Sequence, residues 1–394
     1  MFRRYQWGEK AIAKVSASKR KLRSVLLRQT IFDLMGFTYL GPADGNDIKT
    51  VKYLLTEAKK LHRPVVLHFK TTKGKGYRPS EENPGYFHGV SAFDVETGMP
   101  KKKSSANFSS VFGAYLTELA RQDASICAVT AAMKIGTGLS PFAQTYPQRF
   151  FDVGIAEEHA VTMSGGLAAG GMKPVCSIYS TFLQRGYDQM IHDLAITKLP
   201  VVLCVDRAGL VGEDGETHQG MFDVPYLTTI PHFELWSPSS FEELRHGLRQ
   251  ALAEPRGPVA IRYPRGGEGV FTQDTFGEKQ AVLRAGRHVT LVAYGIMVNE
   301  ALDAADRLAQ CQIEAEVIKL NCLTSYDAQV VLESVGRTGR LAVLEDCCDA
   351  GCLGQKLEAQ AAEAGIALAY SRRFNCGKQF IPAGKVQQLY ELCG

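Results

Sequence analysis

The sequence predicts an α/β fold built from doubly wound parallel sheets. Short apolar runs alternate with longer stretches whose apolar residues recur at helical spacing, which is the pattern of strands joined by crossover helices. Glycines and charged residues follow directly after several apolar runs, as expected at the carboxyl ends of parallel strands. With 394 residues, of which 45% are hydrophobic and 22% charged, the chain has an ordinary globular composition and the length for two or three domains.

The net charge of +4 is too small to indicate nucleic-acid binding. The basic excess is local, because residues 1–30 contain nine Lys or Arg and a single Glu. This start imitates an organelle transit peptide, although a solvated helix face or a basic arm explains it better. We recognise no signal peptide, and no apolar run reaches the length of a membrane span.

Residues 1–100 contain too few elements for a complete domain. The predicted elements are a helix, a strand running into a glycine turn, a second helix and a buried strand: Gln29–Leu34, residues 37–47, Lys49–Leu61 and Val65–Phe69. Two strands and one helix cannot cover both faces of a parallel sheet, so this segment is expected to need partners. Lys73–Tyr77 resembles a phosphate loop only superficially, because the Walker spacing is absent. A linker with Pro and Gly then runs to Lys103.

Residues 101–270 and 271–394 are predicted to form two further domains. The first contains strands and helices in alternation: helix 108–121, strand 125–130, strand 150–153, helix 156–170, strand 174–179, helix 183–198, strand 199–205, a strand ending at 235–238, helix 241–253 and strand 259–263. The second is smaller: strand 288–293, helix 299–309, strand 313–318, helix 327–334, strand 340–345 and helix 353–364. Such alternation indicates parallel sheets with helices on both faces.

The stretch 149–223 carries most of the residues that could perform chemistry. Glu157 and Glu158 fall on the first turn of a predicted helix, where carboxylates also serve as simple caps, the commoner role. The loop predicted to begin at Asp206 brings Arg207, His218 and several glycines and acids to a strand end. Such a loop suits an anionic ligand, with a solvated surface loop as the alternative. Its place after a strand favours the functional interpretation.

The ten cysteines are scattered, and Cys127, Cys176 and Cys204 lie in predicted strands. Free buried thiols in a reducing cytoplasm explain them best. A second group, Cys347, Cys348 and Cys352, lacks the C-x-x-C pair and the nearby histidine that a structural zinc site needs. The expected location is therefore cytoplasmic, without a cysteine-bound metal.

Four segments in the same order and spacing carry a resemblance to a known family: VGIAEEHAV, IYSTFLQRGYDQ, DRAGLVGEDGETHQGMFD and IRYPRG. Together they resemble the 1-deoxy-D-xylulose-5-phosphate synthase family of the transketolase superfamily, from about Gln29 to the end of the chain. The resemblance implies a pyrimidine-binding domain in 101–270, a transketolase C-terminal domain in 271–394, and the tail of a diphosphate-binding domain in 1–100. The G-D-G motif of that last domain and its following asparagine are absent. The first third of a family member, with its metal ligands and a catalytic histidine, is thus expected to be missing.

The resemblance also implies roles for individual residues. Glu157 matches the glutamate that hydrogen-bonds the aminopyrimidine of thiamine diphosphate, and Glu158 stands where many relatives have glutamine. Phe182 and Ile155 match positions that pack on the cofactor, although a lone Phe at a strand end is otherwise a core residue. The remaining matched positions are substrate-phosphate ligands or catalytic groups: Arg207, Arg265, Tyr179 and Arg185 for the phosphate, and His88, His218 and Asp214 for catalysis. Arg265 is otherwise a surface arginine after a strand.

The expected reaction joins pyruvate to glyceraldehyde 3-phosphate, giving 1-deoxy-D-xylulose 5-phosphate and carbon dioxide, for isoprenoid, thiamine and pyridoxal synthesis. Thiamine diphosphate supplies the electron sink that no side chain offers, and Mg²⁺ is expected to be bound by residues of the missing domain. The resemblance further implies a homodimer. Two alternatives remain: one subunit of a split enzyme, completed by a separate amino-terminal polypeptide, and an inactive fragment acting as an interaction module.

Overall fold

A computed structural model describes residues 30–90, 92–101, 105–253 and 256–394. The chain divides into two compact units between Lys103 and Ser104. Among the described residues, no helix is long and apolar enough to cross a membrane.

The first unit is built around two parallel strands, β1 (Thr38–Asp44) and β2 (Val65–Lys70), in which Thr38 pairs with Val65. Its helices are Ile31–Leu34, Ile48–Lys59 and Arg78–Glu82, followed by the 3₁₀ turn Tyr86–His88. The longest of them begins at Asp47, whose carboxylate accepts hydrogen bonds from the Lys49 and Thr50 amides. Gln29, the predicted start of the first helix, lies outside the described residues.

The described residues of the first unit bury almost none of their side chains. Among its described residues only Gly98 is buried. Several large apolar residues of the helix Ile48–Lys59 are exposed to solvent: Ile48, Tyr53 and Leu55. The structure thus agrees with the expectation that two strands and one long helix do not enclose a core.

The second unit begins with a six-stranded, fully parallel sheet in the order β4–β3–β5–β6–β8–β7. Its strands are β3 Ile126–Thr130, β4 Phe150–Asp152, β5 Lys173–Tyr179, β6 Val202–Ala208, β7 Glu234–Trp236 and β8 Val259–Pro264. All five residues of β3 are buried, and alternate residues join two different hydrophobic clusters, one on each face. Burial on both faces confirms the predicted doubly wound α/β arrangement.

Helices cover both faces of this sheet. The helices and helical turns are Phe108–Gln122, Ser140–Thr145, Pro147–Arg149, Glu157–Ala169, Ser180–Leu183, Gln184–Gly186, Tyr187–Gln189, Met190–Ala195, Gly212–Asp214, Asp223–Leu227 and Phe241–Ala253. Phe108–Gln122 and Phe241–Ala253 pack together on one face, and Glu157–Ala169 packs on the other. Among the longer helices, the bounds agree with the prediction to within one residue.

Two predicted boundaries in this sheet are wrong. The strand predicted at 199–205 lies at Val202–Ala208, because the chain turns at Lys198 (φ 52°) and Pro200 offers no amide for the ladder. The helix predicted at 183–198 is a series of short α, 3₁₀ and π segments from Ser180 to Ala195. The α-helical geometry is interrupted from Gln184, and at Gly186, the end of the 3₁₀ segment, an added Cβ would lie 2.9 Å from Val161. Asp206 and Arg207 consequently lie in a strand instead of a loop.

The second sheet of this unit has five strands in the order β13–β12–β10–β11–β9. Its strands are β9 Gln280–Arg284, β10 Val289–Tyr294, β11 Ala315–Leu320, β12 Arg340–Leu344 and β13 Tyr370–Phe374, and its helices and turns are Gly295–Met297, Val298–Gln310, Ala328–Thr338, Leu353–Glu363 and Val386–Cys393. Four strands are parallel, whereas β9 is antiparallel to β11. The strands β9 and β13 and the last helix were not predicted from the sequence.

The two sheets of the second unit are joined by buried backbone and side-chain contacts. The Leu323 amide donates to the Leu235 carbonyl at 2.7 Å, next to the β7 strand. Lys319 of β11 forms a fully buried ion pair with Glu243, 2.9 Å apart. A second buried cluster, formed by Asp223, Arg262 and Asp346, joins β8 to the segment after β12. In each case a charged residue from the domain of the six-stranded sheet pairs with one from the domain of the five-stranded sheet.

Candidate active site

The candidate site lies at the carboxyl edge of the six-stranded sheet. Tyr179 ends β5, Arg207 stands near the end of β6, and Arg265 follows the last residue of β8. The helix beginning at Glu157 follows β4. In parallel sheets this edge is where ligands bind, because the loops after the strands diverge there.

Glu157 is buried at the start of its helix, with 2% of its surface exposed. Its Oε1 accepts a hydrogen bond from Arg185 Nη1 at 3.0 Å. Its Oε2 is buried and has no hydrogen-bond partner among the described residues. A helix-capping glutamate would direct its carboxylate to the helix amides, whereas this one faces Arg185 of the neighbouring segment. Glu158 on the same turn is exposed, so the two adjacent acids occupy different environments.

Phe182 contacts Arg185, the partner of Glu157, and the loop that carries His218. Its ring is stacked with Tyr179 at 5.9 Å and meets the His218 ring edge-on at 5.3 Å. The guanidinium of Arg185 lies 5.6 Å from the centre of the same ring. His218 is held in turn by Thr217, whose Oγ1 lies 2.9 Å from His218 Nδ1. Phe182 therefore contacts both His218 and Arg185, the partner of the buried carboxylate.

Arg207 is fixed by three contacts. A bulge between Val205 and Ala208, with Arg207 at φ 60°, breaks the alternation of the strand. Its Nη1 donates to the Gly136 carbonyl at 2.9 Å and to Asp206 Oδ1 at 3.0 Å. Its guanidinium lies 3.8 Å from the centre of the Tyr179 ring. These contacts hold the side chain in one orientation at the edge of the sheet.

Asp206 supports Arg207 from within the sheet. The carboxylate is fully buried, and this burial raises its pKa to about 6, while the charge of Arg207 opposes the shift. Adjacent strand residues normally point to opposite faces. The bulge lets the Arg207 guanidinium reach the Asp206 carboxylate all the same.

Arg265 and Asp214 form a partly exposed pair beside Tyr179. Arg265 Nη1 lies 3.0 Å from Asp214 Oδ1 and donates to the Val211 carbonyl at 2.9 Å. Burial raises the pKa of the Tyr179 hydroxyl, and the charges of Arg207, Asp206, Asp214 and Arg265 all act on it. The structure thus brings two of the three arginines predicted to bind a phosphate, Arg207 and Arg265, to the same tyrosine. The third, Arg185, pairs with Glu157 instead.

Two further residues were predicted to belong to the site. Ile155 precedes the helix of Glu157 and is 82% exposed. His88 belongs to the first unit, where its Nδ1 lies 2.6 Å from Lys73 Nζ. The roles of these two residues, like those of the other predicted site residues, stay predictions.

Two residues that shape the site were not predicted from the sequence. Gly136 lies in the segment after β3, and a Cβ at this position would overlap the Tyr179 hydroxyl. Asp206 was recognised only as the first residue of a loop. An acid next to an arginine at the end of an apolar strand was the available signal for Asp206, whereas the sequence contained no comparable signal for Gly136.

The described residues fit a ring that bears a hydrogen-bond donor. Glu157 Oε2 is a buried acceptor without a partner among the described residues. Phe182 offers an aromatic face to Arg185, which holds the other oxygen of that carboxylate. A metal finds no equivalent: in the described parts of the chain, no group of three or more His, Cys, Asp or Glu is arranged to hold an ion. The site therefore suits the pyrimidine end of a cofactor.

Three family models match the sequence. The pyrimidine-binding domain of transketolase matches residues 104–267, and the transketolase C-terminal domain matches residues 278–394. The model of 1-deoxy-D-xylulose-5-phosphate synthase matches residues 2–71.

Curated proteins and a solved structure agree with these matches. A 1-deoxy-D-xylulose-5-phosphate synthase of Desulforudis audaxviator is 45% identical over 356 residues, which cover 89% of this chain and 56% of that protein. The synthase of Heliobacterium modesticaldum is 42% identical over 390 residues, covering 98% of this chain and 60% of that one. A solved structure described as a split-gene transketolase, inactive beta4 tetramer, is 28% identical with a TM-score of 0.63, covering 70% of this chain and 91% of its own. The chain thus spans about three fifths of these two curated relatives.

Proposed function

The chain belongs to the 1-deoxy-D-xylulose-5-phosphate synthase family, and we propose that it provides the pyrimidine-binding part of a thiamine-diphosphate site together with the acceptor-phosphate site. The proposed reaction transfers a two-carbon unit from pyruvate to glyceraldehyde 3-phosphate with loss of carbon dioxide. Because the chain spans only part of its relatives' length, the proposal concerns the share of the reaction that its own residues perform.

The single observation that carries the proposal is the buried Glu157 carboxylate. A buried oxygen without a hydrogen bond costs about 1–3 kcal/mol, and a ring N–H donor placed beside Glu157 Oε2 would remove that penalty. When bound, thiamine diphosphate supplies the electron sink for decarboxylation. Glu157 would hold or accept the proton at the pyrimidine nitrogen, Arg185 would keep Oε1 in place, and Phe182 would pack against the ring.

The acceptor phosphate is assigned to Arg207, Arg265 and Tyr179. A phosphate dianion is best held by arginine donors in a fixed orientation, and Arg207 is already oriented by Asp206 and Gly136. Arg265 would exchange part of its pairing with Asp214 for the phosphate. This exchange would free the Asp214 carboxylate to orient the substrate next to His218.

The test compares two neighbouring glutamates. We expect Glu157→Gln to lower pyruvate decarboxylation by about 10²–10⁴-fold, the range for losing a general acid–base group, whereas Glu158→Gln serves as the matched exposed control and retains activity. The assay uses the purified chain with thiamine diphosphate and Mg²⁺, with and without a separately produced diphosphate-binding domain of a relative. Equal losses in both variants would refute the role of Glu157.

A second candidate function is the subunit of a split enzyme. Its support is the split-gene transketolase structure, of which this chain covers 91%. The same assay separates the two candidates, because a split-enzyme subunit is silent alone and active once the diphosphate-binding polypeptide is added. Silence under both conditions would favour an interaction module. Sedimentation of the same samples tests the proposed homodimer.

A further inference from the structure

The last helix of the chain is packed against the loop that carries the candidate catalytic residues. This loop runs from Gly209 to Gly220, which close its base by reciprocal backbone hydrogen bonds of 2.8 and 2.7 Å. Gln219 Nε2 donates to the Pro382 carbonyl at 3.1 Å, and the Gly384 amide donates to the Gly212 carbonyl at 3.4 Å. Residues 381–393, called here the C-terminal segment, therefore form one wall of the loop.

Two cysteines lie in the hydrophobic cluster beside the C-terminal segment. Cys376 follows β13, is buried, and donates its amide proton to the Cys347 carbonyl at 2.9 Å. Cys393 lies in the last turn of the helix Val386–Cys393 and packs into the same small hydrophobic cluster as Cys376 and Leu389. A side-chain hydrogen bond between the two thiols is the main cause of the change in the pKa of each. Both are free cysteines, and Cys393 is only half-buried, so an oxidant can reach the pair from one side.

We propose that Cys376 and Cys393 are a reversible disulfide-forming pair that fastens the C-terminal segment to the end of β13. The oxidant is a low-molecular-weight disulfide such as glutathione disulfide. The Cys393 thiolate attacks one of its sulfurs, the S–S bond of glutathione disulfide breaks, and one glutathione thiolate leaves. The Cys376 thiolate then attacks Cys393 Sγ and releases the second glutathione. Two protein thiols lose two protons and two electrons, and one disulfide is reduced to two thiols.

The local chemistry assigns the order of attack. The hydrogen bond from Cys376 lowers the pKa of Cys393 below its ordinary value, which increases the ionised fraction of this thiol. The same hydrogen bond, together with burial, raises the pKa of Cys376. The more exposed sulfur is thus the nucleophile, and the buried one resolves the mixed disulfide. The strand cysteines differ, because burial alone dominates at Cys176 and raises its pKa to about 12.

The consequence for the loop follows from its contacts. A covalent link at Cys393 would restrain the helix whose first residues lie against Gly212 and thereby restrain Asp214 and His218. This part of the inference rests on the proposed function of the loop. Formation of the disulfide itself does not, so the two can fail separately.

The test is a peptide map of the whole chain after equilibration with mixtures of reduced and oxidised glutathione and blocking of free thiols with N-ethylmaleimide. Trypsin separates the candidates, because Cys376 lies in peptide 374–378, Cys393 in 386–394, and Cys347, Cys348 and Cys352 together in 341–356. We expect the chain to lose two of its ten titratable thiols and to yield the 374–378/386–394 cross-link. Cys393→Ser should abolish it, and Cys311→Ser, at an exposed cysteine, should leave it unchanged.

Three results would overturn the proposal. One is glutathione bound to Cys393 without the cross-link, another is cross-linking of either peptide to 341–356, and a third is oxidation confined to Cys311. Hydrogen exchange of residues 386–393 gives a second readout, since oxidation should slow it in the wild type and leave it unchanged in Cys393→Ser. A link that forms without altering pyruvate decarboxylation would contradict only the effect on the loop.

Discussion

Replacing Arg262 by Met should destabilise the second unit strongly at neutral pH. Arg262 is 2% exposed. It pairs with two buried carboxylates, at 2.9 Å from Asp223 Oδ2 and 2.9 Å from Asp346 Oδ1. Removing one partner of a buried ion pair costs about 3–5 kcal/mol, because the remaining charge is left without compensation. Here two carboxylates depend on one guanidinium, so we expect a loss in the upper half of that range.

The loss should also depend on pH in a defined direction. Burial already raises the pKa of Asp223 above its ordinary value, and Arg262 opposes that shift. Without Arg262 the folded-state pKa rises further above the unfolded one, so the folded variant binds the proton more tightly than the unfolded chain does. The destabilisation is therefore full above the folded-state pKa and shrinks as the pH falls through it.

Urea denaturation followed by circular dichroism measures this free energy of unfolding at several pH values. The matched control is Arg307→Met, because Arg307 forms an exposed pair with Asp303 at 2.8 Å, and such pairs contribute at most about 1 kcal/mol. The reasoning is refuted if Arg262→Met lies within about 1 kcal/mol of the wild type at neutral pH, or if its deficit grows in acid.

Two further changes test the proposed phosphate site through the acceptor substrate. Gly136→Ala places a methyl group where the Tyr179 hydroxyl lies and should weaken the binding of glycerol 3-phosphate, measured by calorimetry. The control is Gly166→Ala, in open space on a helix, which should not weaken it. Equal affinities in the two variants would contradict the role of Gly136. Asp206→Asn removes the charge-assisted bond to Arg207 and should raise the KM for glyceraldehyde 3-phosphate by roughly tenfold, the equivalent of about 1.4 kcal/mol. The KM for unphosphorylated glyceraldehyde should stay constant, and a parallel rise in both would indicate general damage.

Most of the strands and helices could be predicted from the sequence, because the apolar spacing that specifies each element lies within that element. The helix Phe241–Ala253 is bounded by its own apolar spacing, and β8 by the apolar run that follows Pro258. Glu157 was placed correctly on a first turn for the same reason. What local spacing could not decide was which of Glu157 and Glu158 faces the interior.

The failures arise where distant segments determine the structure. The strand β6 is displaced because its pairing with β5 and β8 begins at Val202 and continues through Arg207 in a bulge. The contact of Gly136 with Tyr179 joins segments more than forty residues apart. The cluster of Asp223, Arg262 and Asp346 spans still more of the chain. No short stretch of sequence contains both partners of these contacts.

The buried bridges between the two sheets bear on how this protein could be dissected or recombined. Cutting the chain after residue 270 would leave Lys319 without Glu243, and Asp346 without Arg262, each in a surface shaped to exclude water. A chimera that takes one sheet from a relative would need both members of each ion pair from the same parent. It would also need a glycine at position 209, where any side chain would meet the Asp346 carboxylate. An exchange between relatives would therefore have to transfer the two sheets together.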